Sequence, residues 1–172
     1  MTIKRWLPAL LGFPLGGWLA FGAIGSVEGP LSAAAGGLLA GTVIGAGQWL
    51  VLRSHGIGER WIGYTAAAMG AGAALSAVVT GAGTELVNVM LAGLITGAAV
   101  GAAQSRLLAR SPAWTVMTAA SWSLGWLASA GVIDIDRGFH VFGASGALLV
   151  TVLTGVILRG MLAPRGATAV PA

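Results

Sequence analysis

The amino-acid sequence contains no cysteine among its 172 residues. Disulfide bonds, thiolate nucleophiles and metal sites built on cysteine are therefore excluded. Charge is also scarce, because Asp, Glu, Lys and Arg make up 8% of the chain, against about 25% in an average soluble domain. Hydrophobic residues account for 56%. A soluble domain of this size would need more polar surface to cover its core, so the composition indicates a membrane protein.

The few charges do not form a surface for nucleic acid. Nine Lys and Arg residues against five Asp and Glu residues give a formal net charge of +4. The basic residues are not clustered, and they stand at the ends of apolar stretches, where membrane topology explains them better than phosphate binding does. We therefore expect the lipid bilayer as a partner of the chain, and no nucleic acid.

Six apolar stretches are each long enough to cross about 30 Å of hydrocarbon as a helix. They are separated by short breaks, none of which is long enough to hold a folded domain. The sequence predicts an all-α protein with one six-helix transmembrane domain over residues 1–163 and a flexible cytoplasmic tail at 164–172. The predicted helices are Trp6–Gly25, Leu31–Leu52, Trp61–Thr80, Leu86–Leu108, Trp114–Ile133 and Phe139–Leu158.

Basic and acidic residues segregate to opposite ends of these predicted helices. Lysine and arginine near the membrane favour the cytoplasmic side, so the segregation predicts that both termini are cytoplasmic. Arg137 and Glu59 are the two exceptions. The residues on the predicted cytoplasmic side are Lys4, Arg5, Arg53, Arg60, Arg106, Arg110, Arg159 and Arg165, and those on the other side are Glu28, Glu85, Asp134 and Asp136.

Glycine is abundant, with 29 residues, and two runs of it share one spacing. In each run three glycines stand four residues apart, and a glutamine follows three residues later. Residues at i, i+4 and i+8 lie on one face of a helix. A face without side chains lets a second backbone come close, which promotes helix association in lipid. The two runs are Gly37, Gly41, Gly45 and Gln48, and Gly93, Gly97, Gly101 and Gln104.

A weaker third copy lies in the sixth apolar stretch, where Ala147, Thr151 and Gly155 keep the spacing and Leu158 replaces the glutamine. We interpret the chain as three tandem two-helix hairpins, over about 1–55, 56–111 and 112–163. Repeats that cross the membrane twice share one orientation and are related by an axis along the membrane normal. The expected arrangement is a pseudo-threefold bundle in which the second, fourth and sixth helices line the centre.

Three amide side chains are candidates for a polar path. Gln48 and Gln104 occupy matching positions near the cytoplasmic boundary, and Asn88 lies near the outer end of the fourth helix, where Glu85 is expected to cap the helix N-terminus. One interpretation is a constriction or a ligand contact. The other is an interhelical hydrogen bond, worth about 0.6 to 2 kcal/mol. The leucine in the third copy argues against a symmetric filter and favours the hydrogen bond.

The densest polar group is expected on the outer face and consists of Asp134, Asp136, Arg137 and His140. It is a candidate for contact with a cation or a partner, and the alternative is a solvated turn with internal salt bridges, since it falls short of a calcium loop. His55 is predicted on the opposite face from His140, which argues against a shared metal or haem. We recognise no nucleophile–base pair, phosphate loop or metal-ligand spacing.

The seven tryptophans fall into two groups. Trp6, Trp61 and Trp114 begin predicted helices on the cytoplasmic side, which is typical of the aromatic belt at a membrane interface. The others are deeper or near the opposite end, and we expect them to pack on glycine-rich faces. These are Trp18, Trp49, Trp122 and Trp126.

The segment from Gly41 to Arg53 reads Gly-x-x-x-Gly-x-x-Gln-Trp-Leu-x-Leu-Arg. This motif resembles one carried by small glycine-rich six-helix membrane proteins of bacteria. The resemblance covers the second helix well and the fourth in part. It implies the bacterial inner membrane as the location of the protein and implies no function.

A chain with few polar residues and no extramembrane domain is suited to a non-enzymatic accessory or scaffold role. We expect other membrane subunits or further copies of the chain as partners, and we expect no cofactor. The alternative is a small-solute transporter or channel, which would need a water-accessible cavity that reaches Gln48 and Gln104.

Overall fold

The computed structural model describes residues 2–108 and 111–162, and all its regular elements within these residues are helices. The predicted all-α class is thereby confirmed, and the predicted tail at 164–172 lies outside the described residues. Six long helices, numbered here α1 to α6, alternate in direction along the chain. Their bounds are Ile3–Ile24 for α1, Pro30–Leu52 for α2, Arg60–Thr80 for α3, Leu86–Ser105 for α4, Pro112–Ala130 for α5 and Ala144–Met161 for α6.

Five of the six helices are long and apolar enough to cross a membrane. The exception is α5, which has 19 residues but carries serines, threonines and tryptophans that lower its hydropathy. The predicted multi-pass helical character of the chain is therefore supported. Length and composition alone identify five candidate membrane spans.

The first helix changes its hydrogen-bond pattern partway. It is α-helical over Ile3–Trp6, a 3₁₀-helix over Leu7–Leu11, and α-helical again over Gly12–Ile24. Pro8 and Pro14 each lack a backbone N–H, so the tighter stretch falls where the regular hydrogen-bond ladder is interrupted. The 3₁₀ stretch contacts both α2 and α6.

The sixth helix begins later than predicted, at Ala144 instead of Phe139. The preceding residues turn back into the bundle: Gly138 adopts a φ of +64°, and Val141 and Phe142 are buried. The prediction was wrong because an apolar run signals burial in an irregular segment as strongly as in a helix. Residues 138–143 are called the re-entrant segment below.

The helices form a ring in which each one contacts its neighbours in sequence, and α6 returns to α1. The most extensive contacts join α2 to α3 and α4 to α5. These pairs belong to consecutive predicted hairpins, not to the same hairpin. The contact of α6 with α1 also joins the second helix of one predicted hairpin to the first helix of another, but it is smaller. The second helix of each predicted hairpin therefore packs closely against the first helix of the next one.

Glycine makes the two closest interfaces possible. A Cβ added at Gly41 would lie 2.9 Å from Ala66 Cα in α3, and one added at Gly97 would lie 2.8 Å from Trp122 Cβ in α5. Cβ atoms do not come this close to their neighbours, so larger residues would push the helices apart. The same holds for Gly37, Gly93 and Gly101, and a Cβ at Gly45 would be tightly placed, at 3.0 Å from Thr65 Cβ.

The third copy presents a less open surface to α1. Ala147 and Thr151 stand where the first two copies have glycine, and both are buried. Gly155 lies under the indole of Trp6, where a Cβ would be 2.6 Å from Trp6 Cδ1. Side chains at two of the three positions explain why α6 and α1 share less contact.

The interior holds two apolar clusters. One includes Ile44 of α2, Val100 of α4 and Val150 of α6, so side chains of the three even-numbered helices share one core. The other joins the beginnings of the odd helices to the ends of the even ones. That end is called the basic end, and the opposite end the acidic end. The described basic residues there are Lys4, Arg5, Arg53, Arg60, Arg106 and Arg159.

Candidate functional site

A buried polar network joins four helices near the basic end. The Oε1 atom of Gln48 in α2 accepts hydrogen bonds from Trp61 Nε1 at 3.0 Å and from Gln104 Nε2 at 3.1 Å. Gln104 in α4 also donates to Thr65 Oγ1 in α3 at 2.9 Å and accepts from Trp114 Nε1 in α5 at 3.0 Å. Both glutamines therefore make interhelical hydrogen bonds.

The network uses every donor and acceptor atom of the Gln104 amide. Its Nε2 supplies two hydrogen bonds and its Oε1 accepts one. Thr65 donates its own hydroxyl hydrogen to the carbonyl of Trp61 at 2.8 Å, which leaves its lone pairs to accept from Gln104. Gln104 is 1% exposed. Because a buried amide is costly unless it is hydrogen-bonded, these contacts fix the position of the side chain.

The tryptophans in the first turns of α1, α3 and α5 face the interior. Trp6, Trp61 and Trp114 are each at most 1% exposed, so the prediction that they form an aromatic belt is wrong. A buried indole N–H needs an acceptor, and each of the three finds one on another helix. Trp6 Nε1 donates to Thr154 Oγ1 in α6 at 3.2 Å. Together with the leucines of the same cluster, the three rings close the basic end of the bundle.

The third copy of the motif lacks this polar network. Leu158 occupies the position of the glutamine and is fully buried. Thr118 follows Trp114 by four residues, as Thr65 follows Trp61. Its buried Oγ1 nevertheless has no hydrogen-bond partner among the described residues. The network is therefore complete around Thr65 and incomplete around Thr118.

A cavity of about 70 Å³ lies near the acidic end, between α3, α4, α5 and the re-entrant segment. Its lining includes the hydroxyls of Ser76 and Thr96 and the ring of Trp122. This volume holds a few water molecules. Neither Gln48 nor Gln104 lines the cavity.

His140, in the re-entrant segment, borders this cavity. Its Nε2 lies 2.9 Å from the carbonyl oxygen of Gly25. A carbonyl can only accept, so Nε2 carries the hydrogen, and the buried Nδ1 has no partner among residues 2–108 and 111–162. The ring fills the space over Gly36, where a Cβ would overlap it. Burial lowers the pKa of His140 from its ordinary value of 6.5, and the hydrogen bond to Gly25 opposes that shift.

The predicted outer-face group is split in the structure. Asp134 Oδ2 lies 3.8 Å from Arg137 Nε, with both side chains largely exposed, and Asp136 Oδ1 accepts a hydrogen bond from Thr84 at 3.0 Å. His140 instead turns into the bundle. An exposed ion pair of this kind contributes at most about 1 kcal/mol. The geometry favours a solvated, internally bonded turn over a ligand site at Asp134, Asp136 and Arg137.

Glu85 and Asn88 bond to each other at the acidic end. Glu85 occupies the N-cap position of α4, but its carboxylate accepts from the Asn88 amide and makes no side-chain capping hydrogen bond. Asn88 and Gln104 stand at opposite ends of α4, about 24 Å apart along the helix at 1.5 Å per residue. The three predicted amides therefore do not form one polar path.

The partners of the glutamines, which are Trp61, Trp114 and Thr65, were not predicted from the sequence. The signal was a tryptophan at the start of every second helix, recurring at nearly the same step as the glutamines. Among the described residues, no three His, Asp or Glu side chains are placed to share a metal ion. Comparison of the chain with protein-family models, with curated proteins and with solved structures gives no match.

Proposed function

We propose that the chain is a non-enzymatic scaffold or accessory subunit of a membrane assembly in the bacterial inner membrane. In this proposal three tandem hairpins surround a pseudo-threefold axis, and both termini are cytoplasmic. The observation that carries this proposal is the buried hydrogen-bond network of the basic end, in which Gln48 and Gln104 are bonded to each other and to side chains of α3 and α5. Such an interior suits a rigid body whose outer surface meets its partners.

The hydrogen bonds of the three tryptophans support the repeat. Trp61 donates to α2, Trp114 donates to α4 and Trp6 donates to α6, so each odd helix is bonded to the even helix of another hairpin. The glycine face of α2 meets α3 and that of α4 meets α5, so these contacts join the same pairs of helices as the hydrogen bonds of Trp61 and Trp114. A threefold axis relates these pairs, with α6 and α1 as the third.

A second candidate function, a small-solute transporter or channel, is favoured by the cavity at the acidic end. A solute that entered there would meet hydroxyl groups, but it would have to pass the hydrogen-bonded pair Gln48 and Gln104 and the ring cluster of the basic end to cross. This barrier is the reason we place the scaffold role first.

Purification from native membranes in a mild detergent tests the scaffold role. We expect the chain to migrate as part of a defined larger assembly, either with other membrane subunits or with copies of itself. A chain that is monomeric and alone in the mildest detergent that preserves known membrane complexes would contradict the proposal.

The double substitution Q48L/Q104L separates the two candidate functions. In the scaffold role it lowers thermal stability, because Trp61 and Trp114 lose their acceptors, and it leaves solute flux in proteoliposomes at the protein-free level, as in the wild type. In the transporter role the wild type conducts a solute and the variant does not. Ala71, exposed on α3, gives a matched control as A71L, which should change neither quantity.

A further inference from the structure

A groove of about 910 Å³ runs along the outside of the bundle between α3 and α4, in the half nearest the basic end. Its walls are made of small residues, among them Gly63 and Ala67 of α3 and Ala102 of α4. All three are exposed on the surface. Side chains that stop at Cβ cannot fill the space between two helices, so a furrow is left open to the surrounding lipid.

The groove ends where the two helices meet. A Cβ at Gly72 would lie 2.9 Å from Thr96 Cα and 2.9 Å from Ala99 Cβ, so α3 and α4 are in close contact at that level. The groove is therefore an elongated pocket that is closed toward the acidic end.

Two arginines lie at the basic end of the groove. Arg60 is the first residue of α3 and Arg106 directly follows α4, and both are exposed and line the groove. Within residues 2–108 and 111–162 neither guanidinium has a carboxylate within salt-bridge distance, and Glu59 does not line the groove. Tyr64, one turn into α3, adds a phenolic hydroxyl to the lining. These groups form a cationic, donor-rich site above an apolar furrow.

We propose that this groove binds an anionic phospholipid. Guanidinium groups recognise phosphate with paired, charge-assisted hydrogen bonds, and basic pockets between transmembrane helices bind acidic headgroups. Arg60 and Arg106 contact the phosphate, and one acyl chain lies along the wall of Gly63, Ala67 and Ala102. A free anion would leave the long apolar part of the groove empty, whereas a phospholipid fills both parts. The site requires a bilayer around the bundle but does not depend on the scaffold role.

Lipid titration of the detergent-purified chain tests the headgroup contact. Phosphatidylglycerol should bind, as seen by native mass spectrometry and by a rise in melting temperature, and phosphatidylcholine with the same acyl chains should bind at least tenfold more weakly. R60Q/R106Q should weaken phosphatidylglycerol binding at least tenfold. R5Q/R159Q removes the same charge from the same end but outside the groove, and it should bind like the wild type. Equal affinity in both double variants would overturn the site.

A second pair of variants tests the acyl chain and keeps every charge. A67L/A102L fills the furrow and should weaken phosphatidylglycerol binding, whereas A71L, exposed on α3 outside the groove, should not. Inorganic phosphate, which has no acyl chain, should not displace the lipid at equal concentration. If phosphate competes as well as phosphatidylglycerol, or if A67L/A102L binds normally, the groove is not a lipid site.

Discussion

Gln104 is placed so that one side chain holds three helices besides its own. It bonds to Gln48 in α2, Thr65 in α3 and Trp114 in α5. The sequence predicted an interhelical role for the two glutamines as one of two interpretations, because carboxamides in apolar helices commonly bond to each other. It could not predict the tryptophan donors. A tryptophan at the start of a helix has an apolar ring and one polar N–H, which suit both a membrane interface and a hydrogen-bonded core. Only the packing of the helices decides which of the two it faces.

The residue that breaks the pattern, Leu158, yields a prediction about stability. Under the proposed threefold arrangement a glutamine at this position would donate to the unpartnered hydroxyl of Thr118, as Gln104 donates to Thr65. We expect L158Q to be at least as stable as the wild type when unfolding in detergent is followed by circular dichroism.

The matched control is V100Q, which also replaces a fully buried aliphatic residue. Val100 belongs to the apolar core shared by α2, α4 and α6, so the new amide of V100Q would be buried among apolar side chains and should cost about 1 to 3 kcal/mol. Equal destabilisation of L158Q and V100Q would argue against the threefold arrangement, because it would mean that position 158 offers no partner.

At the scale of the helices, the lengths of the apolar stretches were enough to predict most helix boundaries to within a few residues. The spacing of the glycines predicted which helix faces pack closely. α2 and α3 end at the predicted residues, Leu52 and Thr80. The partner helix of each glycine face could not be predicted, because the motif indicates only that another backbone comes close and does not identify the helix to which that backbone belongs. The irregular start of α6 was also hidden, since Phe142 is as apolar as a helical core residue.

The glycine faces give a second prediction. G97A should be strongly destabilised, because its Cβ would lie 2.8 Å from Trp122 Cβ and 2.9 Å from the carbonyl oxygen of Thr118. A Cβ at Gly22 in α1 meets nothing within 4 Å, so G22A should be neutral or gain up to about 1 kcal/mol from helix propensity. Thermal unfolding of both variants makes the comparison. Similar stability for the two would show that close contact at Gly97 is not needed.

The re-entrant segment should make stability depend on pH. Burial lowers the pKa of His140 in the folded state below its ordinary 6.5, so the unfolded chain takes up a proton first as the pH falls. Stability is therefore unaffected above the unfolded pKa and decreases as the pH falls below about 6.5. No charged residue lines the cavity beside this ring among the described residues.

The measurement is the melting temperature between pH 7.5 and 5. The wild type should lose stability over this range, and H140Q should lose less. H55Q changes the other histidine, which lies at the basic end, and should behave like the wild type. If H140Q and the wild type have parallel curves, His140 is not the titrating group.

For the molecule as a whole, the segregation of charge was the most informative property of the sequence. The structure gathers the beginnings of α1, α3 and α5 and the ends of α2, α4 and α6 at one end, which requires an even number of alternating helices. The segregation of charged residues also predicted six helices, although α5 is too polar to be identified as a span by its hydropathy alone. Which end faces the cytoplasm is a property of the membrane and stays a prediction.

Single cysteines can test this orientation, because the natural chain has none to remove. Ser54 is exposed at the basic end and Glu28 at the acidic end. In intact cells a membrane-impermeant maleimide should label E28C, and it should label S54C only after permeabilisation. The reverse pattern would place the basic end outside and contradict the positive-inside interpretation.

The close contact of α2 with α3 and of α4 with α5 has a consequence for synthesis. The glycine face of α2 is complete at residue 52, but its partner α3 ends at residue 80. At 5–20 residues per second the ribosome needs about 1.5 to 6 s to make that stretch. Throughout that interval Gly41 has no partner helix and faces lipid or the insertion machinery. The glycine face of α4 is exposed in the same way until α5 has been made. Among the three even-numbered helices, α6 alone is made after the odd helix that its motif face meets, which is α1, so it can dock as soon as it is inserted.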